Sequence, residues 1–264
     1  MFIWASDVNR STMKCFVCGK VFSRNDNLKR HIKNSHNNIP VDRPVQNPEN
    51  HVDKNGIHHV FLPKLIHPFT CLVAGPTGSE KTSFLRKLLE LKNEKIYECP
   101  QRTVWCYSQW QPLYTTMKHV EFHHGLPDVE ELESCLLILD DMMDRLESGV
   151  ADLFTKGSHH RNISVIAVTQ NVFHQSRFKR TISLNTHYMI LFKNPRDASQ
   201  IQHLAKQMYP KNPEYLVQVY ERVMNLAPYS YLFIDLKQET PEDMRLRANI
   251  LEDEERYYCQ RKNV

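Results

Sequence analysis

The chain has 264 residues, of which 41% are hydrophobic and 24% charged, a composition typical of a soluble globular protein. This length accommodates one large domain together with a small one. No apolar run reaches the ~18 residues needed to cross a membrane. The apolar start of the chain lacks the long apolar segment of a signal peptide. We therefore expect neither a membrane span nor a secretory leader.

The formal net charge of +4 is concentrated near the start of the chain. Residues 1–42 carry seven Lys or Arg and three Asp, so residues 43–264 are neutral as a whole. A basic small domain beside a neutral large one favours contact between the small domain and a polyanion. A solvated basic surface without such a partner explains the same charge.

Cysteine usage indicates the compartment. Of seven cysteines, Cys15 and Cys18 lie close together, while the other five are scattered and several lie inside apolar runs. Scattered thiols of this kind are typical of a reducing compartment rather than of a disulfide framework. We expect an intracellular protein, located in the nucleus or in a virion.

Four residues near the N-terminus have the spacing of a tetrahedral zinc site: Cys15, Cys18, His31 and His36. A hairpin presents the two thiolates, and a following helix turns both histidines to one side. Phe22 and Leu28 supply the small apolar core, and such a unit folds only with its metal. We therefore predict a Zn²⁺-binding ββα finger, in a domain that spans residues 1–36.

These residues resemble the C2H2 zinc-finger family, in which helix positions −1, 3 and 6 read DNA bases. The resemblance assigns these positions to Arg24, Asn27 and Arg30. Arginine fits the O6/N7 edge of guanine and asparagine the N6/N7 edge of adenine, which implies a GAG triplet in double-stranded DNA. A single finger contacts only about three base pairs, and lone fingers also bind RNA or protein, so these partners remain open.

Beyond the finger, residues 37–60 are predicted to be a flexible linker, residues 61–240 a large domain and residues 241–264 a charged helical arm. Short apolar runs alternate with helical segments in the large domain, which predicts an α/β fold with a mainly parallel sheet. The predicted strands are Phe69–Ala74, Thr103–Ser108, Leu136–Leu139, Ser164–Thr169, Tyr188–Phe192 and Ser230–Ile234. The predicted helices are Lys81–Leu91, Val129–Ser134, Gly149–Thr155, Asp197–Met208 and Pro213–Asn225.

A glycine-rich loop follows the first of these strands. The segment Gly75–Thr82 has the order of a Walker A phosphate loop between a strand and a helix. Its glycines, Gly75 and Gly78, and the N-terminus of the helix direct backbone N–H groups at phosphate oxygens. Lys81 is expected to reach the β- and γ-phosphates, and the Thr82 hydroxyl is expected to hold Mg²⁺.

One position of this loop departs from the G-x-x-x-x-G-K-[ST] pattern, because Glu80 stands where the second glycine is expected. Glycine permits backbone angles that other residues avoid and allows close approach to phosphate. A carboxylate about 4–6 Å from phosphate costs about 3–4 kcal/mol at an effective dielectric near 20. We therefore expect weak ATP binding and slow or absent hydrolysis, and a gain of about a hundredfold in affinity from Glu80→Gly.

Two further strands end in polar residues. The run Leu136–Leu139 is followed by Asp140 and Asp141, a Walker B pattern in which Asp140 binds the water shell of Mg²⁺ and Asp141 orients the attacking water. The run Ser164–Thr169 is followed by Gln170, in the place of a γ-phosphate sensor. We therefore predict ATP with Mg²⁺ as the ligand, and Asp141 and Gln170 as catalytic residues.

The stretch from Pro68 to Leu236 resembles the genome-packaging ATPases of the FtsK–HerA superfamily, as carried by Polinton-type transposons and related DNA viruses. The resemblance is carried by Gln170-Asn171, by the string Phe-Lys-Asn-Pro-Arg at residues 192–196 and by Gln-Met-Tyr-Pro at residues 207–210. It implies a RecA-like core, a homo-oligomeric ring, and ATP-driven movement of double-stranded DNA into a capsid, with a capsid protein as a further partner.

In such rings an arginine of one subunit completes the site of its neighbour. Arg161 is the first candidate, followed by Arg177, Arg180 and Arg196. A plain surface charge is the competing interpretation of each of these residues.

Three functions are consistent with these patterns. The first is an active packaging-type DNA translocase ATPase with an added finger. The second is a zinc-finger nucleic-acid-binding protein whose ATPase-like domain is a weakened relic of a mobile element. The third, a small-molecule kinase, is disfavoured because no nucleoside-binding pattern is visible. Glu80 separates the first two functions, since only an active motor must bind and hydrolyse ATP.

Overall fold

A computed structural model of the chain describes residues 64–142, 147–157, 161–171, 177–252 and 255–259, together with five two-residue strands nearer the N-terminus. Those five are β1 (Met13–Lys14), β2 (Val21–Phe22), β3 (Asp42–Arg43), β4 (His51–Val52) and β5 (His58–His59). The remaining strands are β6 (Leu65–Ile66), β7 (Thr70–Ala74), β8 (Ile96–Tyr97), β9 (Arg102–Tyr107), β10 (Glu121–His124), β11 (Cys135–Asp140), β12 (Ser164–Thr169), β13 (Tyr188–Phe192), β14 (Tyr231–Asp235), β15 (Leu246–Ala248) and β16 (Arg256–Tyr258).

The helices lie between these strands. They are α1 (Lys81–Glu90), α2 (Lys92–Lys95), α3 (Glu147–Asp152), α4 (Arg177–Leu184), α5 (Ser199–Met208) and α6 (Pro213–Met224). Short 3₁₀ turns cover Pro112–Thr116, Val129–Glu131 and Glu242–Met244, and a π-helical turn at Leu153–Gly157 continues α3. No helix within the described ranges is long and apolar enough to cross a membrane.

One ten-stranded sheet organises the fold, in the order β10-β9-β11-β12-β7-β13-β14-β15-β16-β3. The six strands from β10 to β13 run parallel. The strands that follow, β14, β15, β16 and β3, are antiparallel additions at one side. The prediction of an α/β fold with a mainly parallel sheet is confirmed.

The central strands are buried on both faces. Every residue of β7, β11, β12 and β13 is buried, as expected of parallel strands covered by helices on each side. Helix α1 packs Phe84, Leu85 and Leu88 against one face of the sheet. Helices α5 and α6 cover the other face, for example through Leu204 and Leu216. The six predicted strands agree with the observed ones to within one residue at each end.

The prediction of a charged helical arm at residues 241–264 is wrong for the part that the structure describes, residues 241–252 and 255–259. This segment contains β15 and β16, which add to the sheet edge, and Leu246 and Tyr258 are buried. Arg247 is only 2% exposed, and it forms ion pairs with Asp235 (3.4 Å) and Glu255 (3.1 Å). Arg247, one of the charges that suggested a solvated helix, is therefore paired inside the sheet, where a buried charge requires a partner.

Two predicted helices also differ from the structure. Val129–Ser134 is a 3₁₀ turn at Val129–Glu131. The predicted helix Gly149–Thr155 begins earlier, as α3, and changes to the π-helical turn. Both segments span only about two helical turns, which is too short for the apolar spacing to fix a helix type from the sequence.

Candidate nucleotide site

The glycine-rich loop joins the end of β7 to the start of α1, at the carboxyl edge of the parallel strands. A Cβ atom added to Gly75 would lie 2.7 Å from the Phe192 Cβ and 2.7 Å from the Ser79 Oγ, so only glycine fits there. Gly78 has a φ of +80°, in the left-handed region that favours glycine. Both predicted glycines are therefore required by the backbone path of the loop.

Glu80 is the last residue before α1, and it has φ 66° and ψ 28°, a left-handed conformation. A glycine at this position would adopt these angles without steric cost, which explains why the motif prefers one there. The Glu80 side chain is exposed, and its Oε2 accepts a hydrogen bond of 2.5 Å from the Ser83 Oγ. The carboxylate is therefore solvated and held along the first turn of α1, which weakens the charge penalty expected from the sequence.

Lys81 folds back over the loop. Its Nζ donates hydrogen bonds to the carbonyl oxygens of Gly75 (2.7 Å) and Pro76 (2.8 Å). Burial lowers the pKa of Lys81, while the nearby carboxylates of Asp140 and Asp141 act to raise it. Lys81 therefore lies in the electrostatic field of the two carboxylates at the end of β11.

Asp140 ends β11 and is only 4% exposed. The Tyr114 hydroxyl donates a hydrogen bond of 2.8 Å to its Oδ2. Burial raises the pKa of Asp140, and the Tyr114 hydrogen bond and the Lys81 charge oppose that increase. Tyr114 was not predicted from the sequence: it lies 26 residues away in a 3₁₀ turn, and no known motif marks it.

The other predicted residues lie at the same edge. Asp141 is exposed and left-handed, with φ 55°. Gln170 is exposed and follows β12, whose last residue pairs with the last residue of β7. Thr82 is half-buried in the first turn of α1. Because β12 lies between β7 and β11, Gln170 comes between the phosphate loop and the two carboxylates.

The arginine candidates differ in position. Arg161 precedes β12, and its carbonyl oxygen accepts a hydrogen bond from the Ser134 N–H, so it lies at the amino edge, away from the loop of its own chain. Arg196 is exposed and follows β13, on the same edge as the loop. The side chains of Arg177 and Arg180 lie outside the described residues.

The finger is described only through its first two strands. β1 and β2 pair antiparallel, with Met13 opposite Phe22. The ligands themselves lie outside the described residues: Cys15, Cys18, His31 and His36. The residues predicted to read DNA also lie outside: Arg24, Asn27 and Arg30. Two thiolates and two imidazoles are the donor set that tetrahedral Zn²⁺ prefers, so the sequence fits the metal.

Within the predicted linker, β3 pairs with β16 at the sheet edge, and β4 pairs with β5. The rest of residues 37–60 lies outside the described part of the chain, so the flexible linker stays a prediction there.

A buried parallel strand, a glycine-rich loop, a helix that begins with lysine and threonine, and a facing aspartate define a P-loop NTPase type of site. The family model of the C2H2-type zinc finger matches residues 13–36, and such a finger implies Zn²⁺. The chain matches no curated protein.

Several solved structures are similar to the chain. The genome packaging NTPase B204 from Sulfolobus turreted icosahedral virus 2, in complex with sulfate, has 13% identity and a TM-score of 0.46, covering 66% of this chain and 94% of that chain. Its complex with ATP-gammaS has 13% identity and a TM-score of 0.45, covering 69% and 96%. EccC from Thermomonospora curvata (ATPases 2 and 3), in complex with a signal sequence peptide, has 9% identity and a TM-score of 0.41, covering 74% and 37%.

Proposed function

We propose that the chain is a DNA-translocating ATPase of the genome-packaging type, to which the zinc finger adds a contact with double-stranded DNA. The observation that carries this proposal is the position of Lys81, Asp140 and Gln170, each of which ends or follows one of three neighbouring parallel strands at the same carboxyl edge of the sheet. Ligands of open α/β sheets bind at this edge. The strings that resemble packaging ATPases, at residues 170–171, 192–196 and 207–210, support DNA as the substrate.

Each residue of the site has a role that its position supports. Lys81 exchanges the carbonyl oxygens of Gly75 and Pro76 for phosphate oxygens, and the free N–H groups at the start of α1 bind the same anion. Thr82 and Asp140 would hold Mg²⁺, which neutralises the charge that develops on the phosphates. Asp141 orients water for attack, and Gln170 contacts the γ-phosphate.

Assembly is part of the proposal. A homo-oligomeric ring would bring an arginine of one subunit to the site of the next. Arg161 stays the first candidate, since its distance from its own loop is compatible with a role in a neighbouring subunit; Arg196 is the second. A capsid protein would be the docking partner of the ring, in a nucleus or in a virion.

A second function is favoured by Glu80. A glutamate in place of the second glycine of the phosphate loop is also expected of a binding protein that has lost turnover. In that case the finger provides the function, and the large domain is a relic.

The deciding experiment measures Mg²⁺-dependent ATP binding and DNA-stimulated hydrolysis by the full chain. Lys81→Ala should abolish both activities. Lys87→Ala is the matched control, because Lys87 lies on the same helix, has a side chain that is 41% exposed and pairs with Glu252. ATP binding without hydrolysis at any DNA concentration would favour the relic.

The DNA part is tested separately, with duplexes that differ in one triplet. A GAG-bearing duplex should bind more tightly than its variants, and affinity should fall steeply with salt. Arg24→Ala should remove the preference for the triplet. Equal binding of all triplets at moderate salt would leave the finger as a non-specific contact.

A further inference from the structure

A cluster of aromatic rings lies beside the Walker B strand: Trp105, Tyr107, Trp110, Tyr114 and Phe122. Tyr114 is at its centre and is 1% exposed. Its ring stacks on Phe122 with centroids 5.3 Å apart and planes 22° apart, and it contacts Trp105 and Trp110 at 5.4 Å each. Contacts on several sides fix the ring, so its hydroxyl has one available direction.

That direction is toward Asp140. The Tyr114 Oη lies 2.8 Å from the Asp140 Oδ2, and both side chains are buried. A carboxylate accepts and a phenol donates, so this is a charge-assisted hydrogen bond. Among the described residues, Tyr114 is the hydrogen-bond donor to Asp140, and Oδ1 receives none. One carboxylate oxygen is therefore held, and the other is left for a further ligand.

We propose that Tyr114 is a positioning residue that holds the Asp140 carboxylate in the orientation needed to bind Mg²⁺ together with a nucleotide. This inference rests on the proposed nucleotide site. Without a hydrogen-bond partner, a buried carboxylate can rotate and adopt several orientations. The hydrogen bond from the Tyr114 hydroxyl restricts the Asp140 carboxylate to one of them. Partners that orient metal-binding groups in this way typically contribute about 10–100-fold to metal affinity.

The test uses the full chain and a non-hydrolysable ATP analogue, whose affinity is measured over a series of free Mg²⁺ concentrations. Tyr114→Phe keeps the ring and its packing and removes only the hydroxyl. We expect the half-saturating Mg²⁺ concentration to rise by about 10–100-fold. Affinity for the analogue in EDTA should remain at the wild-type value, because the Tyr114 hydroxyl bonds to Asp140, which is proposed to hold the metal and not the phosphates.

Tyr215→Phe is the matched control. The Tyr215 hydroxyl donates a hydrogen bond of 2.9 Å to the Tyr258 carbonyl oxygen, in a buried position on the other face of the sheet. Its removal should lower the melting temperature as Tyr114→Phe does, and it should leave the Mg²⁺ dependence unchanged.

The outcomes are distinguishable. If the wild-type chain binds the analogue in a Mg²⁺-dependent way and Tyr114→Phe has the same dependence, Tyr114 is a structural residue and this inference is wrong. If the wild-type chain shows no Mg²⁺-dependent binding, the proposed nucleotide site is wrong and this inference is overturned with it.

Discussion

The charge and the backbone conformation of Glu80 can be separated by three substitutions. Glu80→Gln removes the charge and keeps the shape. Glu80→Ala also removes the hydrogen bond with Ser83 and keeps a Cβ atom at φ 66°. Glu80→Gly relieves the left-handed conformation as well. Each step therefore tests one physical effect.

The expected magnitudes follow from where the side chain lies. The carboxylate is exposed and bonded to Ser83, so its repulsion of a phosphate about 6 Å away is screened by water to about 0.7 kcal/mol. Glu80→Gln should therefore raise ATP affinity roughly threefold, instead of the hundredfold estimated for a low-dielectric contact. The left-handed conformation costs a non-glycine residue about 1–2 kcal/mol, and Glu80→Gly removes this cost. The greater flexibility of glycine in the unfolded chain cancels about 0.5–1 kcal/mol of that gain in stability.

Two measurements on the full chain separate the effect of the Glu80 charge from that of its backbone conformation. ATP affinity is obtained by competition with a fluorescent analogue in excess Mg²⁺, and melting is followed without nucleotide. Glu80→Gly should melt about 1–4 °C above Glu80→Ala. A hundredfold gain in affinity from Glu80→Gln would refute the screening argument, since it would mean that the carboxylate faces the phosphate. Equal melting of the Gly and Ala variants would refute the argument from backbone strain.

Two other predictions concern the finger and a buried histidine. The purified chain should contain one zinc ion per molecule. His31→Ala should release the zinc without changing the melting temperature of the large domain, whereas the control His58→Ala should retain it. A folded wild-type chain that contains no zinc in metal analysis would contradict this prediction. Burial lowers the pKa of His67, whose Nδ1 lies 2.6 Å from the Ser164 Oγ. The folded state therefore binds fewer protons than the unfolded state, and stability is lost as the pH falls below the unfolded value of about 6.5. His67→Asn should lose less melting temperature than wild type between pH 7.5 and pH 5, and an equal loss would show that other groups govern acid sensitivity.

The strands of the parallel sheet were predictable because both of their faces are buried. A strand such as β12 then consists of consecutive apolar residues, which few other segments imitate. β10 was missed because it lies at the sheet edge, where only Phe122 of its four residues is partly buried. β15 was missed because Arg247 suggested a surface position, and only the structure shows the acidic partners that Asp235 and Glu255 provide.

In the candidate site, the loop after β7 and the polar residues at the ends of β11 and β12 were predictable as elements of the sheet edge, since the strand–loop–helix order of the motif places them there. Tyr114 was not predictable, because its contact with Asp140 depends on the path of the chain after β9. The direction of the Glu80 side chain was also not predictable from the sequence. Ser83, which donates a hydrogen bond to the Glu80 carboxylate, is three residues away along the chain. Whether a serine at that spacing can reach the glutamate depends on the backbone angles, which the sequence does not show.

The balance between an active ATPase and a relic is best judged from the buried charges at the site. Left-handed angles at Glu80 and Asp141 do not decide it, since six other non-glycine residues among those described share positive φ values elsewhere. Lys81 and Asp140 are more informative. Burial shifts the pKa of each toward its neutral form, yet Lys81 bonds to loop carbonyls and Asp140 to Tyr114. Asp140 is buried and Lys81 half-buried, and opposite charges removed from water in this way but bonded elsewhere cost stability. A phosphate and Mg²⁺ would satisfy both, so the arrangement favours a site that still binds its nucleotide.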